Sequence, residues 1–180
     1  MVSQNEFSHV VKATDIGAGQ TQTRLAASED ERAALAIRFD LLSLASLEAD
    51  IALWRDARGI LAEGRMRASL EQPCIATGEP VPDRIDEAVR ILFVPEPADT
   101  AEAEVELDTD DCDAMFYDGQ SVDLGEAIAQ SLGLALNPYP RSPNAEAALK
   151  KAGVINEETA QQESSPFGAL ASLRDKLPPR

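Results

Sequence analysis

Three consecutive segments in which apolar residues alternate with polar ones constrain the fold of this 180-residue chain more than any other feature. A period of two places the apolar side chains of a strand on one face, so each segment predicts a strand with one buried side. The turn-forming stretches Asp56–Gly59 and Pro73–Pro82 separate the segments and favour an antiparallel meander. An open sheet and a barrel-like sheet are both compatible with this pattern. The alternating positions are Leu47, Ala49, Ile51 and Leu53; Ile60, Ala62, Gly64, Met66, Ala68 and Leu70; and Ile85, Val89, Ile91 and Phe93.

A helical pattern on each side of the meander places the chain in the α+β class. Ser28 and Glu31 have the spacing of a capping box and predict a short helix that runs through Arg38. A second helix is predicted to begin near Asp123 and to end before the exit at Pro138. Its apolar residues recur every four positions and form one stripe. They are Leu124, Ile128, Leu132 and Leu136.

The segments around these elements carry weaker signals. Residues Glu6–Ala13 predict a short strand, and Asp15–Thr23 predicts a polar loop. The acidic stretch 95–118 has no regular periodicity. Ala145–Lys151 predicts one or two further helical turns. We therefore expect a few short helices around one antiparallel sheet.

The C-terminal stretch predicts a flexible arm over residues 153–180, attached to a single α+β domain over residues 1–152. Ser165 suits a helix N-cap and Pro166 the first helical position, where its missing N–H is not needed. The apolar residues that follow recur every three or four positions, so they predict a short amphipathic helix. Such a stripe either docks on its own domain or binds a partner. Its candidate partner-binding residues are Phe167, Leu170, Leu173 and Arg174.

The charge of the chain limits its partners. The formal net charge is −16 and the isoelectric point about 4.3, so broad electrostatic binding to DNA or RNA is disfavoured. Any RNA contact is expected to be local, or indirect through a basic protein. No apolar run approaches the roughly 20 residues of a membrane span, and no membrane partner is expected. Cys74 and Cys112 are read as reduced thiols of a cytoplasmic protein.

No motif for catalysis, metal binding or a cofactor stands out. His9 is the sole histidine, which excludes a multi-histidine metal site and a Ser-His-Asp triad within one chain. Asp108–Asp113 resembles a calcium loop at first sight, but the glycine and glutamate of that loop are not at the required positions. Gly17-Ala-Gly19 lacks the third glycine of a dinucleotide fingerprint. We predict a non-enzymatic protein with no catalytic residues, metal or cofactor.

Three segments, taken in order, resemble the YceD family, the large ribosomal RNA subunit accumulation proteins of bacteria and plastids. The first is the strand and turn at 68–80, the second the helix and exit at 122–138, and the third the terminal stretch at 165–174. Many members of that family carry a Cys-x-x-Cys at the turn. Here Cys74 matches the first position, but Thr77 occupies the second, and a lone thiolate cannot form a tetrahedral zinc site.

The resemblance implies a non-enzymatic factor that supports synthesis, processing or stability of large-subunit (23S) rRNA. The partners it implies are the large ribosomal subunit precursor or basic ribosomal proteins, whose charge suits an acidic chain. A second function remains open from the residues alone. The aspartates at 108–118 also suit an acidic protein-interaction module, or a nucleic-acid mimic that binds a basic partner.

Overall fold

The computed structural model describes residues 6–96 and 113–154 and has a mixed α+β architecture. Its strands are β1 (Val10–Lys12), β2 (Thr21–Ala26), β3 (Ser43–Arg55), β4 (Ile60–Pro73), β5 (Pro80–Pro95), β6 (Ala114–Tyr117) and β7 (Ser121–Asp123). Its helices are α1 (Glu29–Arg38), α2 (Leu124–Ala135) and α3 (Ala145–Lys151). Five strands form the main sheet in the order β2-β3-β4-β5-β6, and β1 pairs with β7 in a small second sheet.

The antiparallel meander predicted from the period-two segments is confirmed as β3, β4 and β5. Its alternating residues face the core, and Met66 at its centre is fully buried. Gly64 sits opposite Ile51 where the two strand backbones approach closely, and a Cβ at this position would lie 2.0 Å from the carbonyl oxygen of Asp50. The absence of a side chain at residue 64 is therefore what allows β3 and β4 to pair there.

Both predicted helices flanking the meander are confirmed. In α1 the side chain of Ser28 accepts a hydrogen bond from the Glu31 amide, and the Glu31 carboxylate accepts one from the Ser28 amide, which completes the capping box. In α2 the apolar stripe faces the core, where Ile128 and Leu132 are almost completely buried. Burying each of these side chains contributes roughly 1.5–3 kcal/mol to folding.

Asp123 joins the N-terminal segment to the start of α2. Its Oδ1 accepts hydrogen bonds from the amides of Gly125 (3.0 Å) and His9 (2.8 Å), and its Oδ2 accepts one from the Ser8 hydroxyl at 2.7 Å. A Cβ on Gly125 would lie 2.7 Å from the carbonyl oxygen of Phe7, so the incoming backbone passes directly over this glycine. One carboxylate thus caps the helix and fixes the strand that crosses it.

Three features differ from the sequence-based prediction. Part of the predicted polar loop Asp15–Thr23 belongs to the edge strand β2, which pairs antiparallel with β3. The aperiodic stretch 95–118 contains β6, which pairs parallel with the end of β5. The predicted strand over Glu6–Ala13 is shorter and comprises only β1. Within the described residues the main sheet is open, with β2 and β6 at its edges.

Among the described residues, no helix is both long and apolar enough to cross a membrane. α3 occupies Ala145–Lys151, as predicted. The predicted amphipathic helix of the C-terminal arm falls outside the described residues.

Candidate functional site

The turn between β4 and β5 packs against the chain that leaves α2, and this junction is the most extensively hydrogen-bonded loop contact in the described part of the fold. Residues 74–79 form the turn, and residues 137–144 form the exit from α2; we call their contact the turn–exit junction. The Ile75 amide donates to the Pro140 carbonyl at 3.0 Å. The Gln72 side-chain amide donates to the Asn137 carbonyl at 2.9 Å. The strand and turn at 68–80 and the helix and exit at 122–138 therefore meet here.

Cys74 lies at the centre of the junction. Its side chain is buried, and its Sγ accepts a hydrogen bond from the Ser142 amide at 3.2 Å. This bond, together with hydrogen bonds from the Thr77 hydroxyl and the Ala76 amide, lowers the pKa of the Cys74 thiol to about 6. The sulfur of Cys74 is thus surrounded by amide and hydroxyl donors inside the fold, and its bond to Ser142 links the turn to the exit segment.

Glu79 fastens the other side of the junction. Its carboxylate accepts hydrogen bonds from the Ser142 hydroxyl at 2.8 Å and from the Asn144 side-chain amide at 3.2 Å. These two bonds, in that order, and a third from Thr77 lower the pKa of Glu79. A carboxylate with a lowered pKa is a weak base, so this pairing favours holding Ser142 in place over removing its proton.

Thr77 occupies the second position of the Cys-x-x-Cys that many members of the resembled family carry at this turn. Its hydroxyl lies 3.3 Å from the Ser142 hydroxyl and within hydrogen-bonding distance of the Glu79 carboxylate. At this position a cysteine thiolate could bind a metal ion, whereas the Thr77 hydroxyl takes part in hydrogen bonding with Ser142 and Glu79. Within residues 6–96 and 113–154, no group of three or more His, Cys, Asp or Glu side chains has an arrangement that could hold a metal ion.

Gln72 carries an unusual feature. While its side-chain nitrogen donates to Asn137, its Oε1 is buried and has no hydrogen-bond partner among the described residues. A buried acceptor without a partner costs about 1–3 kcal/mol. The unpartnered oxygen therefore belongs to the residue whose nitrogen links β4 to the end of α2.

A second polar contact joins the two main helices. Arg38 at the end of α1 forms two hydrogen bonds of 2.8 Å to the carboxylate of Glu126 in the first turn of α2, and a third to Glu6 at 3.1 Å. The hydrogen bond from Arg38 is the largest cause that lowers the pKa of Glu126. Glu126 therefore links the first turn of α2 to the end of α1.

The outer face of the main sheet neutralises its own charge. Arginines and carboxylates alternate across β2, β3, β4 and β5, so opposite charges stand on neighbouring strands. Arg24 pairs with Glu48 at 2.8 Å, and Arg67 pairs with Asp50 at 3.2 Å. Arg65 pairs with Asp86. This face therefore offers little net charge to a partner.

The predicted partner-binding residues Phe167, Leu170, Leu173 and Arg174 lie outside the described residues, as do Cys112 and most of Asp108–Asp113. The structure does not bring them to the junction or separate them from it. Sequence reasoning missed Glu79, Ser142 and Asn144 as members of one cluster. Glu79 lies in the predicted turn Pro73–Pro82, and Ser142 and Asn144 follow the predicted exit at Pro138, but neither signal predicts a specific contact.

Comparison with known proteins agrees with the motifs. A family model described as "Large ribosomal RNA subunit accumulation protein YceD" matches residues 62–174. No curated protein and no solved structure gives a significant match to the chain. The matched range covers more than half of the sequence and includes β5, α2, α3, most of β4 and both sides of the turn–exit junction. The chain belongs to the YceD family.

Proposed function

We propose that this protein is a non-enzymatic factor that supports the accumulation of large-subunit (23S) rRNA during ribosome biogenesis. It would act in the cytoplasm and mainly through protein partners. The observation that carries the proposal is the family match over residues 62–174, whose family is named for large-subunit rRNA accumulation.

The form of the candidate site supports a binding role. At the turn–exit junction the polar side chains of Glu79, Ser142 and Asn144 bond to one another. Groups satisfied in this way stabilise a surface shape and leave little capacity to activate a substrate. A rigid junction between two loops is typical of a surface that presents residues to a partner.

The distribution of charge favours a basic protein partner. Residues 97–112 contain seven carboxylates and no cation, and the complete chain carries a net charge of −16. Ribosomal proteins that bind rRNA are rich in lysine and arginine, and an acidic surface attracts them at long range. The large-subunit precursor, which contains such proteins, is the particle on which we expect this chain to act.

The C-terminal segment is proposed as the second contact with the partner. The family match extends to residue 174 and so includes the apolar residues Phe167, Leu170 and Leu173 and the adjacent Arg174. A stripe of this kind supplies apolar contacts that an acidic surface alone lacks.

Depletion of the protein in cells tests the function directly. We expect large-subunit rRNA to fall relative to small-subunit rRNA, and the wild-type chain supplied from a second copy to restore the ratio. An unchanged ratio of the two rRNAs, with normal processing of the large-subunit precursor, would contradict the proposal.

The seven carboxylates of residues 97–112 also favour one alternative, an acidic module that mimics nucleic acid and blocks a basic surface. Affinity purification separates the two functions. Recovery of large-subunit particles supports the biogenesis factor. Recovery dominated by one nucleic-acid-binding protein without ribosomal components supports the mimic.

A further inference from the structure

The exit from α2 presents an aromatic side chain to solvent. Tyr139 is 71% exposed, more than any other aromatic residue in the described part of the chain. Aromatic residues make up only 4% of the sequence, and Phe7, Phe93 and Tyr117 are buried. Exposed aromatic rings are a minority in the described part of the chain, where Phe116 is the other at 60%, and the ring of Tyr139 contributes little to the core.

The backbone that carries Tyr139 is held in place on both sides. Its own amide donates to Oδ1 of Asn137 at 2.9 Å, and it is flanked by Pro138 and Pro140, whose φ angles are fixed by their rings. The carbonyls of Asn137 and Pro140 accept hydrogen bonds from Gln72 and Ile75, at the turn between β4 and β5. The aromatic ring is thus displayed from a rigid backbone, which lowers the entropic cost of binding to it.

The segment that carries Tyr139 is opposite in charge to the rest of the described fold. Residues 137–154 contain Arg141, Lys150, Lys151 and one carboxylate, Glu146, for a net charge of +2. The Glu79 carboxylate, which is hydrogen-bonded to Ser142 and Asn144, reduces the local sum to +1. Residues 6–96 and 113–136 carry twenty carboxylates and ten cations, for a net charge of −10. Arg141 lies within the exit, and α3, which follows the exit directly, has seven residues and is about 10 Å long, so Lys150 and Lys151 lie about one helix length beyond it.

These cations are available to a ligand. Arg24, Arg38, Arg65 and Arg67 are neutralised by carboxylates elsewhere in the fold. In contrast, Arg141, Lys150 and Lys151 are exposed and form no ion pair with any described residue.

We propose that Tyr139, Arg141, Lys150 and Lys151, which we call the Tyr139 surface, bind single-stranded RNA. An unpaired base stacks on the Tyr139 ring, and the three cations contact the neighbouring phosphates. The proposal rests on the function proposed above, since it names the part of the chain that touches RNA directly.

A net charge of −16 does not prevent such a contact. At physiological salt, charges separated by more than about 8 Å are largely screened, so the cations next to a phosphate outweigh carboxylates on the far side of the sheet. The acidic residues instead orient the protein, because within the described residues the Tyr139 surface carries a net positive charge and the remainder carries a net negative one.

Fluorescence anisotropy with the purified full-length chain tests the proposal. The probe is a labelled RNA of about 12 adenosine nucleotides, within the site sizes of single-strand binders, and it is titrated with the protein at roughly 50 mM and 200 mM monovalent salt.

We expect Tyr139→Ala to weaken binding at least about fivefold, because stacking on an aromatic residue is worth roughly 1–3 kcal/mol per base. Tyr139→Phe keeps the ring and should retain the affinity. Lys150→Gln combined with Lys151→Gln should weaken binding and make its dependence on salt shallower, by a slope of about 0.7 for each phosphate that is no longer neutralised.

Two matched controls isolate the surface. Phe116→Ala removes another exposed aromatic residue, and Arg84→Gln removes an exposed cation from β5. Both should leave the affinity for RNA unchanged, and thermal unfolding of each variant confirms that it is folded. A wild-type chain that does not bind the RNA at the lower salt concentration overturns the proposal, as does an equal loss of affinity in Phe116→Ala. Loss of a protein partner in Tyr139→Ala, with RNA affinity unchanged, overturns it in favour of a protein-docking surface.

The failure of this inference can be told apart from failure of the proposed function. If depletion lowers large-subunit rRNA while Tyr139→Ala binds RNA normally, the function stands and the Tyr139 surface is wrong. If the purified chain binds RNA through Tyr139 while depletion leaves both rRNAs unchanged, the surface stands and the function is wrong.

Discussion

The amide of Ser142 donates a hydrogen bond to the sulfur of Cys74, 68 residues earlier in the chain, across 3.2 Å. This bond connects the turn after β4 with the exit from α2, so the two loops stabilise each other.

Replacing Cys74 by alanine should destabilise the fold, because the buried amide of Ser142 then has no acceptor. An orphaned buried donor costs about 1–3 kcal/mol, and denaturant unfolding measures the change. Cys74→Ser, whose oxygen can still accept the hydrogen bond, should lose less stability than Cys74→Ala.

The lowered pKa of Cys74 also makes its contribution to stability depend on pH. The stabilisation by the thiolate is fully present above the unfolded-state pKa and is lost as the pH falls through about 6. The stability difference between the wild type and Cys74→Ala should therefore shrink as the pH falls to about 6 and below; a constant difference across that range would contradict the assignment.

Gly64→Ala should destabilise the meander by roughly 1–3 kcal/mol, the usual cost of forcing extra volume into a packed site. The new Cβ would lie 2.0 Å from the Asp50 carbonyl oxygen, and the obstructing atom is backbone that cannot move aside cheaply. Gly17→Ala is the matched control, because a Cβ at that position meets no atom within 4 Å. Thermal unfolding of the two variants should separate clearly, and similar midpoints would show that the close approach at Gly64 is not a constraint.

Glu126→Gln should weaken the contact between α1 and α2 by removing the charge that pairs with Arg38. We expect a loss of about 1 kcal/mol or less, since both side chains are partly exposed. The pKa of Glu126 is lower in the folded protein than in the unfolded chain. The ionised carboxylate therefore stabilises the fold above the unfolded-state pKa, and this stabilisation is lost as the pH falls through the folded-state pKa. The variant should accordingly lose less stability than the wild type on acidification below about pH 4.5, the ordinary pKa of a glutamate. Glu146→Gln removes an exposed carboxylate from α3 and serves as the control; it should leave the free energy of unfolding at neutral pH nearly unchanged.

Phe167→Ala combined with Leu170→Ala should weaken association with large-subunit particles at least about tenfold, because each buried apolar side chain contributes roughly 1.5–3 kcal/mol. The thermal midpoint of the free protein should be nearly unchanged if these residues bind a partner. Ser172→Ala, in the same segment, is the control for sedimentation with particles. A large fall in the midpoint would show that the segment belongs to the protein's own fold.

The sequence predicted the long strands and the two main helices because each carries its signal locally. β3, β4 and β5 alternate over many residues, and α2 repeats its apolar residues every four positions. β2 was not predicted because it is an edge strand in which only Leu25 is buried, so its apolar and polar residues do not alternate. β6 has four residues, and its pairing with β5 is parallel and non-local.

The candidate site was harder to predict than the fold. The motifs at 68–80 and 122–138 were recognised separately, and the family they indicated is confirmed. The pairing of Cys74 with Ser142, and of Glu79 with Asn144, depends on how β4 and α2 pack in three dimensions. These partners lie 68 and 65 positions apart, and no periodicity in a single sequence reports contacts over such separations.

The hydrogen bonds between Asp123 and the backbone around His9 have a consequence for the order in which the protein folds. They join residues 114 positions apart, and the entropic cost of closure grows with loop length, whereas the β3–β4 and β4–β5 hairpins close over a few residues. The hairpins should therefore form first. During synthesis β1 must wait until α2 has left the ribosome, so β1 is made before the meander and yet is among the last of the described elements to reach its final position.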